Sequence, residues 1–178
     1  MRFVETPLPG AFVLEPQKLR DERGVFARVW SADELAERGL RSTWVQSSIS
    51  FNEKSGTLRG MHYQIAPHQE AKLVTCTAGS VFDVIVDLRT DSATFRQWFA
   101  VELTARNNTT LYIPEGLGHG FLTLEDESVV EYHMSESYHP ECARTVRWDD
   151  PAFGIEWPGA PGTMNERDRE APDFTVGP

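Results

Sequence analysis

The sequence predicts an all-β fold, an antiparallel sandwich or barrel. Three observations predict it. Between Ser42 and Ser135, short apolar runs recur at a spacing of about ten residues. Turn-forming groups separate them: Lys54-Ser55-Gly56, Ala78-Gly79-Ser80, Asn107-Asn108 and Gly116-Leu117-Gly118. Helical periodicity is almost missing from the same stretch. At 178 residues, with 40% hydrophobic and 25% charged residues and no low-complexity run, the chain has enough apolar material for one folded domain with its own core.

The elements follow in order. Residues 1–30 hold short apolar runs broken by Pro7, Pro9, Gly10 and Pro16, as expected of early strands and loops. Arg20-Asp21-Glu22-Arg23-Gly24 is a charged turn, and Val25 to Trp30 reads as the strand after it. Ser31-Ala32-Asp33-Glu34 has the form of a capping box, Trp30 and Leu35 could staple it, and Gly39 ends a short helix. Strands are expected at 43–50, 57–64, 70–77, 80–88, 97–103, 109–113, 120–124 and 128–135. Ala143 to Trp148 is strand-like, a Pro- and Gly-rich tail follows, and Asn165-Glu166-Arg167-Asp168 predicts one helical turn. The expected organisation is a single domain over 1–178. Its barrel covers about 42–150, preceded by strands and a helix in 1–41 and followed by a segment in 151–178.

Charge and cysteine usage narrow the function. A net charge of −10 without a Lys/Arg block argues against nucleic acid or an anionic membrane as partner. A small anionic ligand needs a local cluster of basic groups working against that field. No apolar run is long enough to span a bilayer. Met1 to Pro7 lacks the apolar core of a signal peptide, so a cytoplasmic protein is expected. Cys76 and Cys142 have no zinc spacing and read as reduced thiols.

The chemistry concentrates in Leu58-Arg59-Gly60-Met61-His62-Tyr63-Gln64. His62 is suited to take a proton near neutral pH, and Arg59 can hold a phosphate by two parallel hydrogen bonds. Strict alternation sends Arg59 and His62 to opposite faces; a bulge at Gly60 would bring both into one cavity. In 128–135, Val130, Tyr132 and Met134 share a face, so Tyr132 is expected inside the barrel. Lys72 shares a face with Val74 and Cys76 and reads as pointing inward rather than as an outward edge charge.

Two spacings resemble the cupin family: Gly56, five residues, then His62-x-Gln64; and Pro114-x-Gly116-x-x-His119. The resemblance implies a cupin-type double-stranded β-helix, a jelly-roll barrel with a few short peripheral helices. Gln64 stands where a metal-binding cupin has its second histidine, and Glu70 falls one residue late. A neutral amide is a weak ligand for iron or zinc, so no catalytic metal is expected, although His62, His119 and Glu70 could hold one weakly.

A closer resemblance is to the dTDP-4-dehydrorhamnose 3,5-epimerase family. It runs from Arg23-Gly24-x-Phe26 to Asp168 and rests on these motifs together with Gln46-Ser47-Ser48, Lys72-Leu73-Val74, Asp83-Val84-x-Val86-Asp87-Leu88-Arg89, Tyr112-x-Pro114, His119-Gly120-Phe121, Tyr138-x-Pro140 and Trp148-Asp149-Asp150-Pro151. It implies a cofactor-free homodimer that exchanges strands and inverts C3 and C5 of a nucleotide-linked 4-keto-6-deoxy sugar. By position His62 resembles the base, Tyr132 the acid, Asp168 the partner of His62, and Lys72 the cation beside the enolate. Arg23, Phe26, Gln46, Ser47, Ser48, Arg59, His119, Tyr138 and Arg167 resemble the substrate contacts, with Arg23 supplied by the neighbouring subunit. From the residues alone, Asp168 reads first as a capping residue, and Asp149 and Asp150 are rival partners for His62. His68, His133 and His139 read as surface residues. Arg28, Ala143 and Ser48 depart from the family, which leaves the base, the sugar and the number of inverted centres open. The rival readings are a single-centre epimerase, a ketoisomerase, a metal oxygenase and a non-catalytic sugar-nucleotide-binding barrel.

Overall fold

The computed structural model describes residues 1–175. Residues 176–178, the end of the expected C-terminal segment, lie outside the described residues. Two strands open the chain, β1 (Arg2–Glu5) and β2 (Phe12–Glu15), followed by the hairpin β3 (Lys18–Asp21) and β4 (Gly24–Ala27). Helix α1 (Ala32–Ala36) leads into eight strands. These are β5 (Gln46–Asn52), β6 (Leu58–Gln64), β7 (Lys72–Ala78), β8 (Ser80–Asp87), β9 (Trp98–Thr104), β10 (Thr110–Ile113), β11 (Leu117–Thr123) and β12 (Ser128–Met134). β13 (Ala143–Thr145) and helix α2 (Glu166–Arg169) follow.

The strands form a six-stranded sheet, β1-β2-β10-β7-β12-β5, and a five-stranded sheet, β13-β6-β11-β8-β9; β3 and β4 pair with each other in a sheet of their own. Consecutive strands switch sheets from β5 to β8 and again from β9 to β12. That switching makes the cupin-type jelly roll. Its core lies between the sheets, where Val74, Cys76, Leu111, Ile113 and Val130 of the first meet Val81, Ile85, Leu103, Leu117 and Phe121 of the second. Fully burying each of the larger apolar side chains contributes roughly 1.5–3 kcal/mol. Burial pushes the Cys76 thiol up to about 11, so it packs as an inert apolar group. Both cysteines are buried and unbridged.

Several local expectations are corrected. β4 ends at Ala27 rather than Trp30, β5 covers Gln46–Asn52 rather than 43–50, β13 ends at Thr145 rather than Trp148, and Arg20 and Asp21 belong to β3 rather than to the turn. β11 begins at Leu117, inside the stretch read as punctuation, because Leu117 and Gly118 pair with Asp87 and Val86 of β8. A Cβ on Gly118 would lie 3.0 Å from a Val86 methyl, so the glycine serves close packing rather than a turn. At α1 the Ser31 hydroxyl makes no capping bond, so the expected capping box is not formed; the Leu35 N–H still bonds the Ser31 carbonyl. Trp30 and Leu35 do pack in one cluster. At α2, Asn165 Oδ1 accepts the Asp168 N–H at 2.7 Å, but the Asp168 carboxylate turns away from the helix end.

Candidate active site

The site begins with a register shift. His119 of β11 pairs with His62 of β6, and Phe121 pairs with Arg59. One residue separates the first pair from the second on β11, but two do on β6, Gly60 and Met61. This is a β-bulge, and it overrides strict alternation. Leu117 and Phe121 belong to the inter-sheet core, and His119 alternates with them on the same inner face of β11, so the partners His62 and Arg59 both face inward. Gly60 has φ +139°, and a Cβ there would meet the Gly120 Cα at 2.5 Å; a Cβ on Gly120 would meet the Arg59 carbonyl at 2.7 Å. Only two facing glycines allow the strands to approach this closely.

Asp168 then fixes the imidazole. Its Oδ1 lies 2.8 Å from His62 Nε2, and its Oδ2 accepts the Gly60 N–H at 3.1 Å. The carboxylate side chain is 1% exposed while the imidazole is 40% exposed, so one end of the pair is anchored and the other meets the cavity. Burial alone would raise the Asp168 pKa; His62, the Gly60 N–H and the Arg167 charge outweigh it and hold the group below the ordinary carboxylate value. With Nε2 bonded to a carboxylate, Nδ1 is the basic nitrogen. The rival carboxylates are engaged elsewhere: Asp149 pairs with Arg147, and Asp150 accepts the Ala152 and Phe174 N–H groups.

The facing sheet carries the phenol. Tyr132 packs against the inter-sheet core, on the face of β12 that also bears Val130. Its ring lies 6.1 Å from that of His119, whose own strand partner is His62. Imidazole and phenol therefore project from opposite sheets into one interior. Burial pushes the phenol pKa well up, so Tyr132 holds its proton. Its hydroxyl is 3.3 Å from Ser50 Oγ.

Polar groups line the rest. On β5, Gln46, Ser48, Ser50 and Asn52 pair with Met134, Tyr132, Val130 and Ser128, which places all four on the inner face. Ser47 pairs with His133 on the outer face and is exposed, so of the expected Gln46-Ser47-Ser48 group only the first and last face inward. Asn52 Oδ1 accepts Arg59 Nε at 2.8 Å. Lys72 points inward with Val74 and Cys76, and its ammonium pairs with Glu70 at 2.5 Å, the two side chains being 9% and 10% exposed. His119 Nε2 sits 3.0 Å from both oxygens of Asp83, which is fully buried; burial pushes the Asp83 carboxyl up against the pull of His119. Ser50, Asn52 and Asp83 were not read from sequence as partners of the site; Glu70 was read only as a weak metal ligand, and it pairs with Lys72 instead. The signal was there in Asp83, a charge inside the apolar run Val81-Phe82-Asp83-Val84-Ile85.

Other expected contacts stand apart within a single chain. Arg23 is exposed in the β3–β4 turn, paired with Asp21, and Phe26 is exposed on the same hairpin; Tyr138, after β12, and Arg167, in α2, are also exposed. His68, His133 and His139, read as surface residues, are half-buried. Gln64 is tied at both ends: its Nε2 donates to the His68 and Ser137 carbonyls at 3.0 Å each, and its Oε1 accepts the His139 N–H at 2.7 Å. Among the described residues, His62, His119 and Glu70 do not converge as a ligand group. A cleft of about 900 Å³ lined by Arg41, Tyr112 and Glu115 contains neither His62 nor Tyr132. Among the described residues, no helix is long and apolar enough to cross a membrane.

Comparison with known proteins bears on this arrangement. The family model described as dTDP-4-dehydrorhamnose 3,5-epimerase matches residues 5–175. A dTDP-4-dehydrorhamnose 3,5-epimerase of Methanothermobacter thermautotrophicus is 44% identical over 88% of this chain and 84% of its own length. The crystal structure of the dTDP-4-dehydrorhamnose 3,5-epimerase from Elizabethkingia anophelis superposes with a TM-score of 0.94 at 37% identity, covering 98% of this chain and 96% of that one. One from Bacillus anthracis, with TDP and PPi bound, gives 0.93 at 36% identity over 97% and 99% of the two chains. The chain belongs to the dTDP-4-dehydrorhamnose 3,5-epimerase family.

Proposed function

We propose that this chain, an isomerase by its family, inverts C3 and C5 of dTDP-4-dehydro-6-deoxyglucose to give dTDP-4-dehydrorhamnose. The observation that carries the reading is the pair His62 and Tyr132, which project from opposite sheets into one interior. The 4-keto group acidifies the hydrogens on C3 and C5. His62 Nδ1 takes such a proton, and the electron pair moves to the C4 oxygen as an enolate. Lys72 steadies that charge as it grows. Tyr132 returns a proton to the other face of the same carbon, which inverts it. Imidazolium and phenolate then regain their starting states by exchange with solvent, and the cycle repeats at the second carbon. Each step needs only a base, an acid and a fixed cation.

Arg59, His119, Gln46 and Ser48 face the same interior and serve the sugar and diphosphate. Arg23, Phe26 and their hairpin complete the site of a second copy in a homodimer that exchanges β3 and β4, and Tyr138 stacks on the base. The enzyme works in the cytoplasm, where its two unbridged thiols stay reduced.

The test is isotope uptake. The chain is incubated with the 4-keto-6-deoxy sugar nucleotide in heavy water, and deuterium is followed at C3 and C5. Label at both carbons is expected, and none with His62→Asn. Tyr132→Phe is expected to slow completed inversion more than label uptake. Label at one carbon would make the chain a single-centre enzyme. No label at either, across several nucleotides, would leave a binding barrel.

A further inference from the structure

We propose that His68, Glu136 and His139 form a binding site for a divalent transition-metal ion, separate from the reacting groups. The three sit in the loops that leave β6 and β12, and their ligand atoms all lie within 4.8 Å of one another. Two imidazoles and a carboxylate are the donor set that zinc, nickel and cobalt favour.

The carboxylate already lies close to the spacing from each ring that a shared ion would impose. The Glu136 carboxylate presents one oxygen to each ring, Oε2 at 3.7 Å from His68 Nδ1 and Oε1 at 3.9 Å from His139 Nε2. Both gaps are too long for hydrogen bonds. They lie near the separation of about 3.3 Å that two ligands keep on a tetrahedral ion with bonds of about 2.0 Å. His68 Nδ1 is shut off from water and has no hydrogen-bond partner. Leaving such a buried polar atom unmet is unfavourable, and a cation would satisfy it.

Surrounding groups hold the ligands in place. Glu141 Oε1 lies 3.2 Å from His139 Nδ1, so this ring donates to a carboxylate through one nitrogen and offers the other to Glu136. That is how a metal-bound imidazole is oriented and made more basic. Buried Gln64 splints the scaffold by bonding the backbone at His68, Ser137 and His139 together. The two rings are stacked at 3.4 Å and 8°. Binding requires one of them to turn about its soft Cβ–Cγ bond, which opens the stack.

The test is titration of Zn²⁺ into the chelator-treated full chain by calorimetry, with the visible spectrum of Co²⁺ as a second readout. One ion per chain is expected, together with tetrahedral cobalt bands. His68→Ala and His139→Ala should each weaken binding about 10-fold or more, and Glu141→Gln by less. His133→Ala and His62→Asn should bind as the parent does. If an alanine variant does not fold, Glu136→Gln carries the same test. The site is overturned if the parent binds none of these ions, if these ligand variants bind unchanged, or if His62→Asn alone abolishes binding.

Discussion

Asp168 reaches His62 across 106 residues of sequence, its Oδ1 2.8 Å from the imidazole Nε2, while its other oxygen holds the Gly60 N–H of the bulge that turns His62 inward. One carboxylate thus sets both the tautomer of the imidazole and the backbone beneath it. Asp168→Asn keeps the shape and removes the charge. It should lower turnover on the order of 10²-fold or more, because an amide can stabilise the wrong tautomer and cannot stabilise imidazolium. Deuterium uptake at C3 and C5 measures it; uptake within about 2-fold of the parent would separate Asp168 from the chemistry.

The same carboxylate ties stability to acid. Its native pKa lies below the unfolded value, so its contribution is complete above about pH 4 and is lost as pH falls through the native pKa. Denaturant midpoints for the parent should fall on acidification below pH 4, and the Asp168→Asn variant should fall less steeply. Parallel curves would show that the pairing adds nothing to folding.

Gly60→Ala tests the bulge. Its φ of +139° strains any side chain, and the added Cβ would press on backbone, not on a movable side chain. A destabilisation of about 3 kcal/mol or more is expected from overpacking and strain together. Urea unfolding measures it. Gly24→Ala, where a Cβ meets nothing within 4 Å despite φ +132°, should cost about 1–2 kcal/mol, the backbone strain alone.

Lys72 and Glu70 separate charge from packing. Lys72→Met should reduce turnover at least about 10-fold while substrate affinity changes far less, since in the proposed mechanism the cation acts on charge that develops toward the enolate and is missing from the bound ketone. It also strands Glu70, so a stability loss of about 3 kcal/mol is expected, recovered in part when Glu70→Gln is added. Turnover should not recover in the double variant. Recovery there would mean that Lys72 matters only as a counter-ion.

What the sequence disclosed follows from how far each signal reaches. Alternation in 128–135 places Tyr132 inward because a strand's two faces are set by neighbours one residue apart, and Tyr132 does pack against the inter-sheet core. The same reasoning is ambiguous at Arg59 and His62, where the bulge depends on Gly120, a partner 60 residues away that alternation cannot see. Asp168 is local in one atom and distant in two. Its N–H obeys the helix-end signal through Asn165, and its carboxylate answers to a strand more than a hundred residues earlier. Ser47 shows the cost of carrying over a motif as a block: adjacent strand residues face opposite ways, and the resemblance alone does not say which of three is turned out.

The outer face of β5 gives the last prediction. Ile49 and Phe51 are large, apolar and exposed there, Ile49 by 70%, on an edge strand of the six-stranded sheet, and Val45, just before the strand, is exposed beside them in sequence. An exposed apolar edge is a hazard unless something covers it. The β3–β4 hairpin bears Leu19, Val25 and Phe26, also exposed, and pairs with neither main sheet. The proposed dimer satisfies both surfaces, by placing the hairpin of one copy against the barrel of the other. Ile49→Glu with Phe51→Glu sets charges on that face and leaves the inner residues of β5 untouched. Sedimentation should show a dimer for the parent and a monomer for the variant, with catalytic efficiency down about 10²-fold because Arg23 and Phe26 no longer reach a neighbouring site. A variant that stays dimeric and fully active would place the contact between copies elsewhere.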